Sequence, residues 1–125
     1  MTKSVTLALT AGEPAGIGPE LCLQLAAEAR TAGLVVVASK ALLEARNHLL
    51  GLGIILEDWA PGAVAATKPG VLSVYHVEGL ATTDAGQLNP ANSAYVLDTL
   101  TVATRGCLDG TFDGMVTAPV HKGVI

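Results

Sequence analysis

Aromatic side chains are scarce, with one Trp, two Tyr and one Phe among 125 residues. A core built without them has to be Leu, Val, Ile and Ala packed between layers. Basic charge is also short. Seven Lys and Arg stand against eleven Asp and Glu, for a net charge of -4, so there is no basic patch of the kind that binds nucleic acid. No apolar run reaches the length of a membrane span. Met1-Thr2-Lys3-Ser4 leads straight into a candidate strand rather than a signal-peptide core, so a cytoplasmic protein without a membrane partner is expected. Only two cysteines are present, Cys22 and Cys107, far apart and with no His or Cys beside either at metal-ligand spacing. Two buried, reduced thiols in a cytosolic protein are the simplest reading.

Two nucleotide motifs are missing as well. A Walker A loop needs Gly-Lys-Ser/Thr at the start of its helix, and here Gly18 is followed by Pro19-Glu20. The dinucleotide fingerprint needs a third small residue three places after its second glycine, and Gly16 and Gly18 lead instead to Leu21.

What the sequence does have is a glycine- and proline-rich turn, Thr10 to Glu20, between the apolar run Val5-Thr6-Leu7-Ala8-Leu9 and an amphipathic stretch. The run reads as a buried strand. Leu21, Leu25 and Ala29 recur every fourth residue, which places them on one face of a helix. Gly12, Gly16 and Gly18 permit positive φ and close approach of a bound group, Pro14 stiffens the loop, and Pro19 suits the first helical position. N–H groups free at such a helix start favour an anion. Glu13 is the one ionised side chain in the loop before the helix. The plainer alternative is a strand-to-helix connection whose glycines serve only turn geometry.

Further along, Leu34 to Ser39 is a continuous apolar run suited to a parallel strand covered on both faces, after Gly33 as a stop for the first helix. Ser39 caps a second helix carrying Leu42, Leu43, Leu49 and Leu50, which ends at Gly51 to Gly53. Ile54 to Leu56 is a short strand candidate, residues 58–70 an irregular connection with Trp59 as an anchor, and Val71 to Val77 a strand. Glu78 to Gln87 reads as loop. Asn89-Pro90 reads as the cap and first turn of a helix with Val96, Leu97, Leu100 and Ala103 on one face, brought to a close by Gly106 and Gly110. Gly114 to Ala118 is the last strand. Alternating strands and helices predict a doubly wound α/β sheet in one small domain.

In such sheets ligands bind beyond the carboxyl ends of the strands. The Gly12 to Gly18 turn and the Thr117 to Gly123 segment both lie there, so they are expected to face one ligand. Glu13 would supply a carboxylate, Thr117 a hydroxyl, His121 a proton carrier or hydrogen-bond donor, and Lys122 a positive charge. The plainer reading of His121-Lys122 is a solvated pair near a chain terminus. His48 reads as a surface or boundary histidine.

Gly12-Glu13-Pro14-Ala15-Gly16-Ile17-Gly18-Pro19-Glu20 and Thr117-Ala118-Pro119-Val120-His121-Lys122-Gly123-Val124-Ile125, with Ala85 to Asn89, Tyr95-Val96 and Thr99-Leu100 between them, resemble the N-terminal part of the 4-hydroxythreonine-4-phosphate dehydrogenase (PdxA) family. The resemblance covers essentially the whole chain. It implies a three-layer α/β/α fold with a mainly parallel sheet, similar to the isocitrate and isopropylmalate dehydrogenases. Residues 1–125 would be the N-terminal part of a two-lobed homodimeric enzyme well over twice as long. It also implies NAD-dependent oxidation of 4-phosphohydroxy-L-threonine at its 3-hydroxyl, with loss of carbon dioxide, in pyridoxal phosphate biosynthesis. A divalent metal, Zn, Mg or Co, would polarise the reacting oxygen. The family's metal ligands and main NAD segments lie beyond Ile125, and none of His48, His76 or His121 matches a ligand. The resemblance therefore implies no catalytic or metal residue in these 125. Its cleft-lining positions are Glu13, Gly16, Gly18, Thr117, His121 and Lys122. Two other readings are a related dehydrogenase of threonate or erythronate 4-phosphate, and a non-catalytic fragment that only binds an anion or partner.

Overall fold

A computed structural model describes residues 5–80 and 90–118. Strand β1 (Thr6–Thr10) leads through the glycine-rich loop into helix α1 (Gly18–Ala26), and β2 (Gly33–Ala38) leads into α2 (Lys40–Leu50). Two further strands follow, β3 (Ile55–Asp58) and β4 (Val71–His76). Then come a single 3-10 turn at Pro90–Asn92, α3 (Ser93–Asp109) and β5 (Gly114–Thr117). The five strands form one sheet in the order β3-β4-β2-β1-β5, and every neighbouring pair is parallel.

Each central strand is buried on both sides, which is why Gly33 to Ala38 reads as an unbroken apolar run. One face of the sheet packs against α1 and α2 through Leu9, Val36, Leu72 and Val74, which meet Cys22, Leu23, Ala26 and Leu43. The other face packs against α3 through Ala8, Val35 and Val37, which meet Tyr95, Val96 and Ala103. The architecture is therefore helix layer, sheet, helix layer, as expected. The connection from β4 to β5 crosses β2 and β1 on the α3 side, whereas those leaving β1 and β2 use the other face. The few aromatic residues gather under α3. The rings of Trp59 and Phe112 stack with centroids 5.5 Å apart, Tyr75 lies 6.5 Å from Trp59, and Trp59 Nε1 donates to Ala63 O at 2.9 Å. Trp59 does anchor the irregular connection.

Several local expectations are corrected. Leu21 and Leu25 are 42% and 47% exposed, and Ala29 lies past the end of α1. The buried stripe is Gly18, Cys22 and Ala26 with Leu23, because small residues four apart let α1 settle close to the sheet. Gly33 does not stop α1. It opens β2, where a Cβ would stand 2.7 Å from Ala65 Cβ. Leu49 and Leu50 are exposed, and so is Leu97, whose place on the buried face of α3 is taken by Tyr95, Thr99 and Gly106. Gly106 lies inside α3 and makes room for the Phe112 ring, while Gly110, at φ 86°, ends the helix. Asn92 rather than Asn89 is the residue before α3, and Asn89 lies outside the described residues, as do Ala85 to Leu88. The Ser39 cap is as expected, its hydroxyl accepting from Leu42 N at 3.3 Å, and Gly51 closes α2 at φ 64°.

Candidate functional site

The loop between β1 and α1 starts at the carboxyl end of a central strand, so its position follows from the sheet order. Gly12 turns the chain at φ 71°. Residues 11–15 are buried, and Gly16 N–H closes a turn on Glu13 O at 2.9 Å. Glu13 is only 4% exposed. Its Oε1 accepts from Ala15 N–H at 3.4 Å, while Oε2 is buried with no hydrogen-bond partner among the described residues. Thr10 Oγ1, at the end of β1, is in the same condition. A buried polar atom without a partner costs roughly 1–3 kcal/mol, so two near one strand end mark a place for a polar partner from outside the described residues.

The glycines divide their work unequally. Gly18 is packed against its own chain: a Cβ there would stand 1.7 Å from Ala11 O and 2.9 Å from Ala118 Cβ. Its bare backbone is used to seat α1, not to admit a ligand. At Gly16 a Cβ would meet Glu13 O at 3.3 Å, a milder restriction. Ala118 N–H donates to Thr10 O at 2.9 Å, and Thr117 pairs with Thr10 across β1 and β5. The start of the second predicted loop is thereby held against the first. Thr117 is exposed, and His121 and Lys122 lie outside the described residues.

Arg46 was not visible as a site residue in the sequence, where a charge inside α2 looks like a solvated one. It is 4% exposed, and from α2 its Nη2 donates to Pro14 O at 2.6 Å and its Nη1 to Gly16 O at 3.1 Å. Glu20 Oε1, in the first turn of α1, lies 3.8 Å from Nη1. Cys22 is buried in the same core cluster as Ala11, and burial pushes its thiol up to about 12, whereas Cys107, expected to be buried as well, is only half-buried on α3. On the next strand end, the Tyr95 hydroxyl accepts from Ser39 N–H at 2.7 Å, and burial pushes this group to about 12 as well against the pull of that bond.

Neither implied group finds a built site here. Among the described residues no three His, Cys, Asp or Glu side chains stand together to hold a metal ion. The close backbone approach that a dinucleotide pyrophosphate needs is taken up at Gly18 by Ala11 and Ala118. No chemical step is therefore assigned to either group within this part of the chain. Likewise, no helix among the described residues is long and apolar enough to cross a membrane.

An open, doubly wound α/β sheet with a glycine-rich strand-to-helix loop at its carboxyl edge defines the class of protein. Residues 30–125 match the family model described as pyridoxal phosphate biosynthetic protein PdxA, and the chain belongs to that family. It is 70% identical over 125 residues to a 4-hydroxythreonine-4-phosphate dehydrogenase of Marinobacter nauticus, covering 100% of this chain and 37% of that protein. A Pseudomonas aeruginosa protein of the same name is 54% identical over 124 residues, covering 98% and 38%. Among solved structures, one described as a putative 4-hydroxythreonine-4-phosphate dehydrogenase from Salmonella typhimurium superposes with a TM-score of 0.84 at 28% identity, covering 97% of this chain and 39% of that one. A terephthalate 1,2-cis-dihydrodiol dehydrogenase from Burkholderia xenovorans, at 22% identity and a TM-score of 0.76, shares the fold. The chain thus spans less than two fifths of the length of these relatives.

Proposed function

We propose that the full-length protein carrying this chain is a dehydrogenase that oxidises 4-phosphohydroxy-L-threonine in pyridoxal phosphate biosynthesis. The observation that carries this reading is the 70% identity, over all 125 residues, to a relative named for that activity. In the reaction the carbon bearing the 3-hydroxyl gives a hydride to NAD and the hydroxyl loses its proton. The β-keto acid so formed then loses carbon dioxide to leave 3-amino-2-oxopropyl phosphate. NAD as hydride acceptor and a divalent metal as Lewis acid are part of the proposal, as are a homodimer and a cytoplasmic location. Their binding residues belong to the rest of the protein.

The part assigned to residues 1–125 is a five-stranded parallel sheet whose Glu13 to Gly18 loop, together with the Thr117 to Lys122 segment, is assigned to the lining of the cleft. Glu13 Oε2 and Thr10 Oγ1, both lacking partners among the described residues, support this reading. The carboxylate oxygen can accept from a donor such as a substrate hydroxyl or ammonium group, and the Thr10 hydroxyl can accept or donate. The test is a substrate panel with the purified full-length protein. NADH formation should be fastest with 4-phosphohydroxy-L-threonine. Faster turnover of threonate or erythronate 4-phosphate would move the assignment to those acids, and no NADH from any of the three would end it.

A further inference from the structure

We infer that Arg46 is the positioning residue of the Gly12 to Gly18 loop, acting through the Pro14 and Gly16 carbonyls to hold the loop in its working shape before any ligand binds. The inference rests on the proposed dehydrogenase reading for its functional half and on geometry alone for its structural half.

The geometry is unusual for a helix arginine. The guanidinium is withdrawn from water, and its ion-pair partner among the described residues, Glu20, stands at 3.8 Å, beyond hydrogen-bond range, on a side chain that is itself partly exposed. A charge taken out of water with its counter-ion held only at that distance is costly unless its N–H groups are well used. Here they are used on main-chain carbonyls, at 2.6 and 3.1 Å, two residues apart in a loop thirty residues away in sequence. Charge-assisted bonds of this kind are roughly twice as strong as neutral ones.

Fixing those carbonyls fixes more than themselves. Because the peptide unit is planar and trans, each carbonyl aimed at Arg46 turns the next N–H to the opposite side. The Ala15 N–H is so turned, and it meets Glu13 Oε1. Gly16 O, held by Arg46, sends the Ile17 N–H away from α2 at the start of α1. The orientation of the Glu13 carboxylate and of the N–H of Ile17, the residue that caps the start of α1, thus depends on one side chain from another element. A fork with two separated donors is needed to hold two carbonyls at once, and a lysine ammonium would hold one well.

The test compares wild type, Arg46→Met and Arg46→Lys in the full-length protein, read two ways. First, native-state hydrogen exchange at the Gly16 N–H should speed up by about tenfold or more in Arg46→Met and by less in Arg46→Lys, as expected for loss of a charge-assisted hold. Second, with 4-phosphohydroxy-L-threonine and NAD, Arg46→Met should lose about tenfold or more in kcat/KM at a temperature where it is fully folded, with Arg46→Lys between the two. A purely structural arginine would lower the melting temperature and leave kcat and KM of the folded protein unchanged, and that result overturns the inference. Unchanged Gly16 exchange in Arg46→Met overturns it too. If Arg46→Met does not fold, Arg46→Lys is read by the same two criteria. If wild type reduces no NAD, the dehydrogenase reading fails by itself, and the exchange rates alone decide whether Arg46 holds the loop.

Discussion

Replacing Gly18 with Ala adds one methyl group where the first turn of α1, the Ala11 carbonyl and Ala118 converge. The new Cβ would stand 1.7 Å from Ala11 O, while ordinary contact begins near 3.4 Å, and would also stand 2.9 Å from Ala118 Cβ. Neither obstacle is the far end of a flexible side chain. One is backbone at the exit of β1, and the other belongs to a residue tied by its own N–H to Thr10 O. Relief requires α1 and the loop to part by more than an ångström, which would also shift the carbonyls that Arg46 holds. Overpacking a well-packed site usually costs about 1–3 kcal/mol, and with backbone on the receiving side a value of about 3 kcal/mol is expected. The gain in helix propensity from Gly to Ala, at most about 1 kcal/mol in a helix interior and less at its first residue, does not offset this. The assay is urea unfolding of the full-length protein, where the midpoint should fall by about 1 M or more. Gly51→Ala is the comparison: its φ is 64° but nothing lies within 4 Å of the added Cβ, so only the left-handed conformation is charged, at about 1 kcal/mol. If Gly18→Ala is no more harmful than Gly51→Ala, the tight seating of α1 between the two loops is refuted.

Other expectations follow from the same packing. Tyr95→Phe removes the acceptor of the buried Ser39 N–H and should cost about 1–3 kcal/mol in the same unfolding assay, because the amide is left without a partner; a neutral result would mean that water reaches that amide. Ser39→Ala, which removes the cap of α2, should cost about 1 kcal/mol. Burial raises the Cys22 thiol from 9.0 to about 12, so between those values the unfolded chain has lost the proton that the folded chain keeps. Stability is then unaffected below pH 9 and falls as pH rises above it, by up to about 1.4 kcal/mol per pH unit. Cys22→Ala should flatten that alkaline slope, and an unchanged slope would place its origin elsewhere. Tyr95, raised from 10.0 in the same way, acts in the same direction over the upper part of this range.

The strands were legible for two reasons: a strand buried on both faces must be apolar, as Leu34 to Ala38 is, and Val71 to Val77 alternates in part and is rich in β-formers, so both could be read without knowing their neighbours. The faces of the helices were harder. Periodicity favoured the large residues Leu21 and Leu25, but α1 lies so close to the sheet that Gly18, Cys22 and Ala26 face inward and the leucines stay outside. The same effect hid Gly106, whose small size serves the Phe112 ring rather than a helix end. In the candidate site, the loop itself was readable from its glycines and prolines. Its support was not. The contact between Arg46 and the Pro14 and Gly16 carbonyls joins residues about thirty positions apart, and nothing local to α2 distinguishes that arginine from an exposed one. The burial of Glu13 was equally out of reach, since an acidic residue in a polar turn reads as solvent-exposed until the fold closes over it.

The most direct measurement is the steady-state rate of NADH formation from 4-phosphohydroxy-L-threonine by the full-length protein, with wild type and Glu13→Gln run side by side. A dehydrogenase whose cleft includes this loop should form NADH and carbon dioxide in equal amounts as wild type, and Glu13→Gln should be folded but lose kcat/KM by about tenfold or more. Equal rates in the two proteins would remove the loop from the site, and a wild type that forms no NADH from this substrate would contradict the functional assignment itself.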